Sequence, residues 1–309
     1  MKNVISLFFL ILVVKCQAQD SKNKYLQNES VTYKECISFY KTLETKYTNA
    51  KLFEFGKTDV GLPLHLFMIT NDKDFDIESI KKKNKAIIFI NNGIHAGEPC
   101  GVDACLGLSE DLLNKKELNA MLSNVVVCIV PFYNTDGALN RGCCSRANQN
   151  GPKEYGFRAN AKNLDLNRDF IKCDAQNTKS LIQMIHRIQP HVFIDTHISN
   201  GADYSYNMTL ITTQHNKLNP TLSSYLNNKM LPALQNEIRL KNNEMCPYVE
   251  TLKTTPDSGL VGFLETPRFA TGYTALFNII GFVTEAHMLK PYHLQVKATY
   301  DLLISMINT

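Results

Sequence analysis

Apolar residues rich in Val, Ile and Phe gather in four short runs: Ala86-Ile-Ile-Phe-Ile90, Val125-Val-Val-Cys-Ile-Val130, Val192-Phe-Ile194 and Ile279-Ile-Gly-Phe-Val283. Their length and β-branched content predict buried strands. Between them, over about 100–114, 175–188, 219–240 and 291–307, apolar residues recur at helical spacing and predict helices. Strands alternating with helices imply an α/β fold: a largely parallel sheet covered by helices on both faces. In such sheets ligands bind beyond the carboxyl ends of the strands, where the connecting loops converge. The polar residues that follow each apolar run are therefore the candidates for chemistry.

The amino terminus follows a different pattern. Lys2 precedes an apolar run from Val4 to Val14, and Cys16-Gln-Ala18 offers small residues around a cleavage point, so residues 1–18 read as a signal peptide. The run is too short for a permanent membrane helix, which needs roughly 20 residues. Lys15 before Cys16 also argues against a lipoprotein anchor, so no stable membrane anchor is expected. The expected destination is a secreted or periplasmic one. Residues 19–35 form a polar lead-in, and 36–309, free of repeats or low-complexity tracts, read as one catalytic domain.

With 44% apolar and 20% charged residues, the chain has the balance of a globular protein. Its formal charge of +4 falls to +2 once Lys2 and Lys15 leave with the leader, which gives no support for a nucleic-acid partner. Export permits disulfides among Cys36, Cys100, Cys105, Cys128, Cys143, Cys144, Cys173 and Cys246, whose pairing stays open. No CxxC pair points to cysteine as a metal ligand, and Cys128 reads as a small buried side chain within its apolar run.

After the first predicted strand comes Asn91-Asn-Gly-Ile-His-Ala-Gly-Glu-Pro99, with His95 and Glu98 three apart and glycines that permit a tight turn. An HxxE pair is weak alone, since helix surfaces produce it often. A second imidazole, His197, ends the run Ile194-Asp-Thr-His197, and two histidines with one glutamate make a three-ligand catalytic zinc set that leaves a position for water. Asp195 suits either an orienting partner of that imidazole or a turn. Amide hydrolysis also needs a carboxylate to carry the proton, and Glu285, which ends Gly281-Phe-Val-Thr-Glu285, is the candidate general base. Arg158 and Arg168 flank an aperiodic polar segment. A fixed guanidinium there can stabilise an oxyanion or, beside Asn167, grip a carboxylate; a surface salt bridge is the ordinary alternative.

Taken in order, these pieces resemble the zinc carboxypeptidase family over about residues 50–300. His95 and Glu98 match its first metal motif, Asn134-Thr-Asp-Gly137 its Asn-Pro-Asp-Gly turn with Thr135 in place of proline, and Arg158-Ala-Asn160 its oxyanion arginine. Leu164-Asp-Leu-Asn-Arg168 matches its carboxylate-binding stretch, His197 its third ligand, and Thr284-Glu-Ala-His-Met-Leu-Lys-Pro291 the form of the general-base segment in bacterial members. The resemblance implies a mixed, largely parallel eight-stranded sheet with helices on both sides and one Zn2+ per chain. It also implies a mobile tyrosine upstream of the base, for which Tyr273 is the nearest candidate.

The leading expectation is a monomeric metallocarboxypeptidase that releases the C-terminal residue of a peptide with a free carboxylate. Asn167 and Arg168 would hold the terminus, Arg158 the scissile carbonyl, and Glu285 would activate water. The alternatives are a deacylase of small N-acyl amino acids, a cell-wall peptide hydrolase, and a zinc-containing binding module that has lost its chemistry. The substrate pocket falls in 200–280, where the motifs leave the individual positions unassigned.

Overall fold

The computed structural model describes residues 21–309, so the leader expected at 1–18 lies outside the described residues. Ten strands run in chain order: β1 (Ala50–Lys57), β2 (Pro63–Ile69), β3 (Ala86–Asn92), β4 (Val125–Val130), β5 (Val192–Ile198), β6 (Met208–Thr212), β7 (Met245–Pro247), β8 (Val249–Thr251), β9 (Leu260–Gly262) and β10 (Ile280–Ala286). The helices are α1 (Tyr33–Lys46), α2 (Ile77–Lys82), α3 (Cys100–Asn114), α4 (Lys116–Met121), α5 (Thr135–Leu139), α6 (Gln176–Ile188), α7 (Pro220–Tyr225), α8 (Leu231–Leu240), α9 (Ala270–Ala275) and α10 (Tyr292–Asn308).

Eight strands form one mixed sheet in the order β1-β2-β4-β3-β5-β10-β6-β7, and β8 pairs with β9 in a separate ribbon. The four strands read as buried apolar runs, β4, β3, β5 and β10, are its parallel centre. Strands with residues buried on both faces need an apolar side chain at nearly every position, which is why these runs stand out in the sequence. Along β3, Ile88 and Ile90 point into one core layer and Ile87 and Phe89 into the other. The first layer includes buried residues of α1, α3 and α10, and the second those of α6 and α9.

Cys143 and Cys144 are joined as a neighbouring pair, while Cys36, Cys100, Cys105 and Cys128 are buried thiols. The polar lead-in packs onto the body of the protein. Thr32 and Glu35 form a reciprocal cap at the start of α1. Buried Asp103 on the first turn of α3 accepts the Val31 N–H at 3.1 Å and the Tyr292 hydroxyl. Lead-in, α3 and α10 therefore meet at one carboxyl group.

Burial pushes the Asp103 carboxyl up to about 7, against the hydrogen bonds from Tyr292 and Val31. The native state thus binds this proton more tightly than the unfolded chain, so stability from this group falls as pH rises from roughly 4 to 7. Asp103→Asn removes the titration. Denaturant unfolding of the wild type is expected to lose a few kcal/mol more than the variant between about pH 4 and pH 8; equal losses would contradict this reading.

Candidate active site

The site lies at the carboxyl ends of the central strands. Gly93, with φ of 65°, turns the chain out of β3 where a Cβ would sit 2.8 Å from the Phe132 ring. His95 and Glu98 follow in the loop before α3. His197 belongs to β5 and Glu285 to β10, and the parallel register sets these two residues directly opposite each other.

His95, Glu98 and His197 are all buried, and one donor atom from each lies within 4.8 Å of the others. His95 Nδ1 is 3.0 Å from Glu98 Oε1, and His197 Nδ1 is 3.0 Å from Glu98 Oε2. The outer nitrogens are held by other carboxylates: His95 Nε2 is 3.1 Å from Asp165 Oδ1, and His197 Nε2 is 2.8 Å from Asp195 Oδ2. Asp195 is fixed in turn by the Asn91 amide, which donates to Oδ1 at 2.8 Å. Each ring is thus paired outward through Nε2 and faces Glu98 through Nδ1, the placement in which metal-binding histidines are oriented by an outer carboxylate.

The electrostatics fit a cation at this point. Burial alone would lower the His197 pKa, but Asp195 and Glu98 on either side outweigh it and hold the value well above the ordinary one. A buried ring between two carboxylates requires positive charge, which a proton or a metal ion supplies. The donor set of two imidazole nitrogens and a carboxylate is that of a catalytic zinc site with open coordination.

Glu98 is also bound by a residue the sequence motifs did not point to. Arg146 donates to Glu98 Oε1 at 2.5 Å and to the Ile198 and Ser199 carbonyls at 2.9 and 3.1 Å. It lies in an irregular stretch after the paired cysteines, so no periodicity marks it.

Glu285 lines the cavity beside these donors. Its carboxylate makes no hydrogen bond or ion pair among the described residues, and burial pushes it up to about 7, with His197 opposing and Glu98 adding to the rise. Arg158 reaches across from the other side. Its Nε and Nη2 donate to Asp165 Oδ2 at 3.2 and 2.9 Å, and Nη1 to Glu98 Oε1 at 3.5 Å. The Asn134 turn supports this arm, because Asn134 Nδ2 donates to the Arg158 carbonyl at 2.9 Å while its Oδ1 caps α5.

Asp165 also starts the short turn Leu166–Arg168, accepting the Asn167 N–H at 2.9 Å. Arg168 lies over the Phe269 ring at 4.4 Å, with Nη1 donating to the Asn167 carbonyl. Both Asn167 and Arg168 line the cavity, which holds about 130 Å³, room for roughly four waters or one side chain.

Tyr273 is placed elsewhere. It sits in α9 against Phe170 and Phe277, with its hydroxyl 2.9 Å from His186 Nε2, and it does not line the cavity. Tyr248, between β7 and β8, does line it. A larger cavity of about 850 Å³ lies at the opposite, amino ends of the central strands; none of its lining residues is acidic and none belongs to this cluster.

The model of the zinc carboxypeptidase family matches residues 36–209, more than half of the chain, and the chain belongs to that family of zinc metallopeptidases. Carboxypeptidase 2 of Trichophyton tonsurans is 31% identical over 122 residues, covering 38% of this chain and 20% of the fungal protein. The chain thus matches about a fifth of the length of such curated relatives. Among solved structures, a metallo-carboxypeptidase from Burkholderia cenocepacia superposes with a TM-score of 0.62 at 16% identity, covering 87% of this chain and 67% of that one. Carboxypeptidase A of Helicoverpa armigera superposes at 0.63 with 15% identity, covering 89% and 71%. These neighbours share the mixed eight-stranded sheet and its helices.

Proposed function

We propose that the protein is a zinc carboxypeptidase that releases the C-terminal residue of peptides. The observation that carries this reading is the meeting, in one small cavity, of the His95, Glu98 and His197 donors with a free Glu285 carboxylate and the Arg158, Asn167 and Arg168 group. One Zn2+ held by His95 Nδ1, Glu98 and His197 Nδ1 would supply Lewis acidity at the scissile carbonyl.

The protein's own groups do the rest. Arg168 and the Asn167 amide hold the terminal carboxylate, so the last peptide bond is the one presented. Arg158, held by Asp165, faces the oxygen that becomes negative as water adds to the carbonyl. Glu285 takes a proton from the attacking water and delivers it to the amine nitrogen as the C–N bond breaks, so one water is consumed and a free amino acid departs. Without a cation, burial holds this carboxyl up at about 7; a cation beside it draws the value down, toward the carboxylate that can accept the water proton.

A peptide with a free terminus and its amidated twin separate this reading from an internal peptidase. The expected result is cleavage of the free peptide alone, with one zinc per chain. The small cavity also favours a second reading, a deacylase of N-acyl amino acids, which would cleave those compounds and leave longer peptides intact. We place the protein outside the cytoplasm, after removal of residues 1–18, and as a monomer. Among the described residues no helix is long and apolar enough to cross a membrane.

A further inference from the structure

One face of the β8–β9 ribbon continues the wall of the cavity outward. The register pairs Glu250 with Val261 and Thr251 with Leu260, so side chains alternate between the two faces row by row. Tyr248, Glu250 and Phe263, which line the cavity, therefore share a face with Val261 and, two residues past Glu250, with Leu252. Leu260 belongs to the other face. Val261 is 42% exposed and Leu252 60%. Aliphatic surface thus extends from an aromatic floor in which Phe269, Phe263 and Tyr248 follow one another at ring separations of 5.2 and 6.1 Å.

We propose that this face of the ribbon is a track for the part of the peptide upstream of the scissile bond, and that it selects peptides whose upstream residues are apolar. The cavity, at about 130 Å³, has room for roughly one side chain, so the rest of a bound peptide has to leave it. Rows on one face of a strand repeat about every 7 Å, the interval at which an extended peptide repeats side chains on one side. A strand-like peptide that leaves past Tyr248 therefore meets Val261 and then Leu252 with every second residue. Exposed aliphatic surface continuous with a ligand cavity is the kind that an apolar ligand covers favourably.

The ribbon is held where this requires. At its base the Tyr248 N–H donates to the Leu210 carbonyl of β6 at 3.1 Å, and the Tyr204 hydroxyl to the Val249 carbonyl at 3.0 Å. At its tip the Leu252 N–H donates to the Gly259 carbonyl at 3.0 Å and the Lys253 N–H to Ser258 Oγ at 3.0 Å. Gly259, with φ of 108°, makes room for Leu252, since a Cβ there would lie 3.0 Å from Leu252 Cδ1. The leucine therefore lies along the face of the ribbon, in line with Glu250 and Tyr248.

This inference rests on the carboxypeptidase reading, so two assays on the zinc-loaded full chain keep the two apart. Both use hexapeptides that share their last two residues and carry either leucines or serines in the four positions before them. The first measures kcat/KM for the free-terminus forms, and the second calorimetric binding of their amidated twins, which needs no turnover. The wild type is expected to favour the leucine peptide by about tenfold in each, the order that follows from covering part of one leucine and one valine side chain. Leu252→Ser combined with Val261→Thr should bring that preference within about twofold, while Leu260→Ser, an equally exposed position on the opposite face, should keep it. No preference in the wild type, a preference that survives the double variant, or one lost equally in Leu260→Ser overturns the assignment. A binding preference that depends on Leu252 and Val261, without cleavage of any peptide, would uphold the track and remove the peptidase reading instead.

Discussion

Glu285→Gln is expected to lower kcat by about 10²–10⁴-fold while zinc stays at one per chain. The amide keeps the shape of the side chain but cannot accept the water proton, and positioned general bases contribute a factor of that order. Glu285 makes no bond to Glu98 or to either histidine, so the replacement leaves the three donors and the carboxylates behind them in place. The measurement is turnover of a free-terminus peptide alongside metal analysis. Full activity in the variant would move the proton transfer to another group, and loss of zinc would mean that Glu285 belongs to the metal site.

His197→Ala is expected to have the larger effect on the metal. Removing only an outer partner of a liganding histidine typically costs 10–100-fold in metal affinity, so removing the ligand itself should weaken zinc by more than about 100-fold. The damage extends to the fold. His197 lies between Asp195 at 2.8 Å and Glu98 at 3.0 Å, all three buried, and the truncation leaves two carboxylates facing an empty space. Breaking buried charge pairs in this way costs roughly 3–5 kcal/mol. Equilibrium dialysis and denaturant unfolding test both parts. Unchanged zinc affinity would exclude His197 as a ligand; lost zinc with unchanged stability would show that the two carboxylates are relieved by protonation or water.

The sequence was legible where chemistry and periodicity coincide. His95, Glu98, His197 and Glu285 each follow or end a buried apolar run, and the structure brings them together at the carboxyl end of the parallel centre. Outer strands such as β1, in which only Ala50 is buried, and the short β7 carry too little apolar signal to stand out. The substrate side of the cavity was hidden for a related reason. Tyr248 and Glu265, which line it, come from loops, as does Arg146, which binds Glu98, and no repeat constrains which way such side chains point. Tyr273 shows the limit of distance along the chain as a guide: it is close to Glu285 in sequence, but α9 buries it in the core layer on the face of α6.

The pairing of β5 with β10 also bears on how the protein comes into being. His197 and Glu98 are 99 residues apart in sequence, and Glu285 joins them only through the last strand of the sheet. Contacts of such long range form late, because the loop entropy must be overcome before they return any stabilisation. A chain still emerging or only partly collapsed therefore carries the ligands on separate, unassembled segments. On the carboxypeptidase reading proposed above, the assembled site exists only once the sheet is complete, so a nascent chain would lack the means of trimming itself or its neighbours before it is folded.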